Sequence, residues 1–460
     1  MNKLMGAPRR IFRQWLLLIL LGVIVGCSQG GDGGNNDDDT PEGGVTFAVD
    51  AQAEFLQPIE PADNDPASAE SVAQFNKAIV SLLTHITAHQ SSVINNNRLS
   101  NRVDALAMAR VLALLNEVTR GSTRNEIELL LDTLAETSVQ QPASFARMFS
   151  PEVSVHTGEV FAPQYDHLFS GDFVSWVYRN LSADAIQPVD YARDLASASQ
   201  ALQALLNHYI SDKFSTDSRM VLLTSLQLDA QAWQYDQQDI VPALFNGRYG
   251  TERQIEAARI TGPYKQLFLA EGEVSLVPLV GAGMDMALVQ PDPAHYDYVL
   301  SELPAILAEA RQSQPVSGPV HVPLVDMMYS GLVLSVLFES LGAGELFDRE
   351  FANLSGLDGG GQYVSVFTQY GKFLLSAEGL SVQSESVLAT DRSDENVFLG
   401  PGDPDGGIIG AIISSPGLPP LVDTSSWYQF HPLIIALVDA ETGALVYLQE
   451  VGRANSPASP

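Results

Sequence analysis

Phe430-His431-Pro432-Leu433-Ile434-Ile435-Ala436-Leu437-Val438, followed by Thr442-Gly443-Ala444-Leu445-Val446-Tyr447, is the stretch on which the reading of this chain turns. Its two apolar runs, Leu433–Val438 and Leu445–Val451, have strand length and strand composition. Upstream, Val320–Val322, Tyr363–Thr368 and Lys372–Ser376 read the same way, so the C-terminal third is mostly β.

Further towards the N-terminus the pattern becomes helical. Phe75, Ala78, Ile79, Leu82, Leu83 and Ile86 recur at the three-four spacing of a buried helix face. Residues 104–118 form a second, more thoroughly apolar helix, and Thr123–Leu131 a third with Ser122 or Thr123 as its cap. Ala198–Ile210 places Ala201, Leu202, Leu205 and Tyr209 on one face. Strands are expected between these helices at Val153–Phe161, Val221–Leu228, Val274–Val280 and Met284–Val289. Helices come early, strands late and connections are long, which is an α+β pattern and not a βαβ alternation. Residues 71–455 read as one large domain.

The first 26 residues differ from the rest. Lys3, Arg9, Arg10 and Arg13 make a basic start, and Trp15–Val25 is apolar apart from Gly22. Gly26 and the single cysteine, Cys27, follow. This is the make-up of a signal peptide, and the apolar run is shorter than the roughly 20 residues a spanning helix needs. Ile24-Val25-Gly26-Cys27 resembles the lipobox of bacterial lipoproteins, whose cysteine is acylated and becomes the mature N-terminus. A short membrane anchor or an ordinary signal are the alternatives. The same resemblance implies outer-membrane sorting, because Ser28 stands where an Asp would favour inner-membrane retention. Residues 28–44 are mostly Gly, Asn and Asp and read as a tether; 45–70 are broken by Pro58, Pro61 and Pro66.

Composition sets limits. With 45% hydrophobic and 17% charged residues the chain is globular and not disordered. Its net charge of −31 argues against nucleic acid as a partner. Removal of residues 1–26 takes away four basic residues and leaves 20 basic against 55 acidic, or −35. A saline habitat or a basic partner accounts for such acidity. A lone cysteine permits no internal disulfide and no thiolate metal site.

The usual catalytic signatures do not occur. There is no G-x-S-x-G elbow, no P-loop and no G-x-G-x-x-G after a strand. His85 and His89 lie four apart on a helix, but Ile86 stands where a zinc protease needs Glu. Gly402-Asp403-Pro404-Asp405-Gly406 lacks the further ligands of a calcium loop. Neither metal nor cofactor is expected, and no active site assembles.

The C-terminal stretch resembles the closing strands of the serpins, a family with a His-Pro-Phe-Leu-Phe-like strand, a Thr-Gly turn and a following apolar strand. Other blocks fall in serpin order. They are Leu106-Ala107-Met108 with Gly121 and Thr123; Trp233 after Val221–Leu228; Val320-His321-Val322-Pro323 with Val336, Leu337, Leu341-Gly342 and Leu346-Phe347; and Val364-Ser365 with Lys372–Gly379. The likeness spans residues 71–455. It departs at Asn101, where Pro is usual, at Gln449-Glu450, where Gly-Arg is usual, and at Ser225, where a sheet Asn is expected.

The resemblance implies an α+β serpin fold. An N-terminal helical region would accompany a large, mainly antiparallel central sheet, smaller sheets and an exposed reactive loop over about residues 379–426. It implies a monomeric, non-enzymatic inhibitor of serine proteases. The loop is bait, the protease cleaves it and forms an acyl-enzyme, and the freed loop enters the sheet as a new strand. Gly379, Leu380, Ser381 and Val382 are then the hinge. At the family's spacing the reactive bond falls at Arg392-Ser393, which suits a trypsin-like enzyme; Val397, Phe398 or Leu399 would suit a chymotrypsin- or elastase-like one.

The segment itself passes a test that strand insertion imposes. No Pro occurs from 380 to 400. Leu380, Val382, Ser384, Ser386, Leu388 and Thr390 form one uncharged alternating set, and the other set holds Glu385 and Asp391. Against inhibition stand the bulky Leu380 and Val382, where the family has small residues. Glu378 and Pro432 are also 54 positions apart, more than is usual. The alternative is a non-inhibitory serpin-fold surface protein with a binding or structural role.

Overall fold

A computed structural model of the chain describes residues 44–46, 67–94, 101–139, 142–154, 157–164, 168–180, 188–205, 214–230, 238–247, 252–358, 360–376, 379–392 and 427–451. Cys27, Trp233 and Ser393 lie outside these residues, as do Gly402–Gly406 and the alternative bait positions 397–399. Residues Gly43–Pro460 make one compact unit. Among the described residues no helix is long and apolar enough to cross a membrane.

Strand β1 (Gly44–Thr46) leads to helix α1 (Ala69–Ile94), whose Phe75, Ile79, Leu82, Leu83 and Ile86 enter the core at the expected spacing. After β2 (Arg102–Asp104), α2 (Ala105–Val118) is buried almost all round, as befits a helix with hardly a polar face. Asp104 caps it: the Ala107 N–H donates to Asp104 Oδ1 at 2.9 Å. α3 (Gly121–Ala135) begins earlier than its sequence suggests, with Arg120 and not Ser122 or Thr123 at the cap. The Thr123 hydroxyl is engaged elsewhere, donating to Glu345 Oε2 at 3.1 Å and accepting the Asn353 N–H at 3.0 Å.

The strand expected from Val153 starts later. Pro151–Ser154 is a helical turn, consistent with proline's preset φ at a first helical position, and β3 is Thr157–Pro163. β4 (Leu168–Ser170), α4 (Gly171–Asn180) and α5 (Leu195–Leu205) follow. Then come β5 (Ser218–Ala230), β6 (Gln238–Asn246), β7 (Glu252–Leu269), β8 (Gly272–Pro278) and β9 (Met284–Pro291). Helices α6 (Tyr296–Ser301) and α7 (Leu303–Gln312) precede β10 (Pro315–Pro323) and β11 (Val325–Val333). Helix α8 (Leu334–Ser340) comes before β12 (Gln362–Ser376), β13 (Gly379–Arg392), β14 (Tyr428–Phe430), β15 (Leu433–Asp439) and β16 (Leu445–Val451).

Two large sheets result. One has five antiparallel strands in the order β11-β12-β13-β5-β3. The other has nine, β14-β6-β7-β8-β9-β15-β16-β2, with β10 beside β7. Leu226, Phe373, Leu380 and Val382 of the first sheet share a core with Met286, Leu288, Ile435 and Tyr447 of the second. A second core joins α1, α2 and α3 to both sheets.

The three departures noted at Asn101, Gln449 and Glu450 meet one another. Asn101 Nδ2 donates to Glu450 Oε2 (3.3 Å) and Gln449 Nε2 donates to the Asn101 carbonyl (2.9 Å). All three side chains are buried, so they replace the usual residues as one hydrogen-bonded set.

Candidate functional site: strand β13 in the central sheet

The segment with insertion-compatible composition is inserted. β13 lies between β12 and β5 and is antiparallel to both, from Leu380 opposite Leu375 and Ala230 to Asp391 opposite Tyr363 and Ser218. Its position requires the glycines that flank and face it. Gly379 opens the strand at φ +145°, a backbone state L side chains rarely adopt. Gly371 on β12 lies so close that a Cβ there would be 2.6 Å from the Gln383 carbonyl oxygen.

One face carries the uncharged set. Leu380 and Val382 pack in the core shared by the two sheets, and Leu388 packs in the helix-lined core. Thr390 Oγ1 donates to Gln362 Oε1 at 2.8 Å. Between them Ser384 faces Asp104, the cap of α2, whose backbone exchanges bonds with the Gln369 side chain (3.4 and 3.5 Å). Burial raises the Asp104 pKa above the ordinary carboxylate value, against the opposing pull of the Ala107 N–H, Ser384 and Arg102. Burial likewise raises the phenol of Tyr447, which stacks on Phe373 at 5.8 Å.

The other face is not the solvent face that alternation alone suggests. Ser381 and Gln383 are half-buried, but Glu385 is fully buried and accepts from Gln383 Nε2 at 3.1 Å. Val387 and Ala389 join a third core with Tyr191, Ala198, Leu202 and Phe214, so α5 and its neighbours cover this end of the strand. A central strand covered on both faces loses its simple alternation.

Of the proposed bait and hinge residues, Gly379, Leu380 and Val382 are buried, Ser381 is half-buried and Arg392 is exposed at the strand's far end. The Arg392 N–H donates to the Asp217 carbonyl at 2.9 Å. Nothing in the sequence singles out Ser215 and Ser218, which hold β13 from a distant segment, or Gln369, which ties β12 to Asp104. Asp104 does carry a signal, an Asp directly ahead of an apolar helical run. Among the described residues no three His, Cys, Asp or Glu side chains group to hold a metal.

No protein-family model matches the sequence, and no curated protein matches it. Solved structures do. A cleaved serpin, Serpin 42Da, superposes with a TM-score of 0.62 at 14% identity over 85% of this chain and 100% of its own. A loop-inserted, cleaved ovalbumin mutant gives 0.60 at 11% identity over 82% of this chain and 98% of its own. The chain has the serpin fold. Tengpin, a thermophilic serpin in the latent state, gives 0.56 at 14% identity over 85% of this chain and 100% of its own.

Proposed function

We propose that this chain is an inhibitor of serine proteases that acts as a suicide substrate. The observation that supports it is β13: residues 379–392 fill a complete central strand between β12 and β5, the place strand insertion demands. In the acting state this segment would lie outside the sheet as bait. The protease serine attacks the Arg392 carbonyl, forming an ester while the bond to Ser393 breaks and its amine takes up the proton. Entry of residues 379–392 into the sheet then carries the acyl-enzyme away before water completes hydrolysis. Arg392 offers a trypsin-like enzyme its cationic side chain. Mixing the protein with trypsin should give an SDS-stable adduct that Arg392→Ala abolishes, with the released fragment beginning at Ser393. Rapid, complete hydrolysis without an adduct would sink this reading.

The protein acts as a monomer at a bacterial surface, exported and held by acylated Cys27, with the outer membrane favoured. The basic head, the apolar run and Ile24-Val25-Gly26-Cys27 support this. A palmitate analogue should label the wild type and not Cys27→Ser.

One observation favours the second reading, a non-inhibitory surface protein. In the continuous 460-residue chain β13 is already in the sheet while β14 still pairs with β6. The 35 positions between Arg392 and Tyr428 can span up to about 115 Å, whereas β13 is about 46 Å long. Insertion then needs no cut. Intact and clipped protein melting at one temperature would favour this second reading; a large rise on clipping would favour the first.

A further inference from the structure

The far end of β13 meets the turn Ser215–Ser218 that leads into β5. The turn is internally bonded: the Ser215 N–H donates to Ser218 Oγ (3.0 Å), the Asp217 N–H to Ser215 Oγ (3.1 Å) and the Ser218 N–H to the Ser215 carbonyl (3.2 Å). Each hydroxyl oxygen thus already accepts a backbone proton, which orients its own O–H outward. Both hydroxyls donate to a single carboxylate. Ser218 Oγ lies 2.8 Å from Asp391 Oδ1 and Ser215 Oγ 3.2 Å from Asp391 Oδ2. The third contact is backbone, from the Arg392 N–H to the Asp217 carbonyl at 2.9 Å.

The sheet ladder changes just here. Thr390 pairs with Met220 but Asp391 pairs with Ser218, so Arg219 is an extra residue on β5. A bulge of this kind ends regular pairing and re-aims side chains. On the β5 side regular pairing runs to Thr390, while the β12 ladder continues through Tyr363–Asp391 to Gln362–Arg392; the serine hydroxyls add side-chain bonds at Asp391 where the β5 register breaks.

We propose that Ser215, Ser218 and the Asp217 carbonyl form a preorganised receptor for Asp391-Arg392, an end-stop that fixes how far the inserted strand runs. They are positioning residues, and the ligand is this chain's own aspartate presented at one strand length. The two-hydroxyl geometry selects a short carboxylate at that register. The inference deepens the proposed function by supplying what arrests insertion, but the contacts exist in the uncut chain and stand apart from inhibition. A cut at Arg392-Ser393 leaves the receptor filled. A cut before Asp391 leaves it empty.

Hydrogen exchange on the full-length protein in detergent, with 380–390 first shown to be protected so that β13 is in the sheet, tests this. Replacing both Ser215 and Ser218 by Ala should speed exchange over 387–392 by about tenfold, the loss of charge-assisted bonds, and leave 379–386 unchanged. Ser218→Thr, which keeps the hydroxyl, should retain protection. Inserting one Ala after Thr390 should unprotect 387–392 as the double variant does. Unchanged protection in the double variant or in the insertion overturns the proposal. An equal rise over both segments also overturns it, because the serines would then only support β5. A trypsin adduct assay run alongside reports on inhibition separately, and its failure leaves the exchange result intact.

Discussion

The imidazole of His321 on β10 lies nearly flat against the ring of Tyr428 on β14, with centroids 4.1 Å apart and 20° between the planes. Tyr428 opens β14, the first strand after β13 among the described residues. Its hydroxyl donates to Glu273 Oε1 (3.3 Å) and accepts from Gln290 Nε2 (3.4 Å). Burial pushes its pKa up to about 12, so it stays a phenol at any working pH. The stack therefore fastens β14 through one titratable partner, His321.

That partner resists protonation. Burial lowers the His321 pKa below its usual 6.5, and Arg259, its register partner on β7, lowers it further. The folded state then binds this proton less tightly than the unfolded chain does. The contribution is present above pH 6.5 and is lost as pH falls through the folded-state value. Melting curves between pH 7 and 5 should show this loss in wild type and a smaller one in His321→Phe, which keeps the ring contact.

Asp104 behaves in the opposite sense. Its folded pKa is raised above 3.8, so its contribution is full below that value and disappears as pH rises through the folded one. Asp104→Asn keeps a good capping side chain and removes the buried charge. It should equal or exceed wild-type stability at neutral pH, with a flatter profile on the acid side. Asp104→Ala loses the cap and should cost about 1 kcal/mol. Thermal denaturation across a pH series measures both.

Gly371 offers a handle on insertion alone. The atoms that an added methyl group would strike first, the Gln383 oxygen at 2.6 Å and the Ser384 Cα at 3.3 Å, belong to β13. Gly371→Ala should penalise the inserted state by about 1–3 kcal/mol and speed amide exchange over 380–390. Ser384→Pro should do the same, because Ser384 is paired on both sides. Unchanged exchange in both variants would contradict this placement of β13.

Shortening the connector tests the second functional reading directly. β5 runs from beside Asp391 to Ala230, beside Leu380, and passes on to β6, on which β14 pairs. The chain after Arg392 must therefore return along about the length of β13. Deleting residues 400–423 leaves 11 positions before Tyr428, a reach of at most about 36 Å, short of the roughly 46 Å of the strand. The intact deletion variant should lose protection over 380–390 and regain it on clipping, with a rise in melting temperature.

Much of this was legible from local pattern. The apolar face of α1, the apolar run of α2 and Leu445–Val451 all follow from spacing within one element. What escaped depends on distant segments. Thr123 looked like a cap because its partners, Glu345 and Asn353, are more than 200 positions away. Glu385 carries no local sign of burial, because nothing near it announces the layer that covers Val387 and Ala389. The mutual replacement of Asn101 with Gln449-Glu450 reads as three unrelated departures until the fold joins them. Ser215 and Ser218 are two serines in a turn until Asp391 arrives.

β15 sits between β9 and β16, every residue buried, although it follows β13 and residues 393–427 in the chain. Cutting at Arg392-Ser393 would thus turn one polypeptide into two interlocked subunits, the smaller supplying interior strands to the larger. Native size would not register the event. The two pieces, made as separate chains, should find each other and assemble straight into the form with β13 in the sheet.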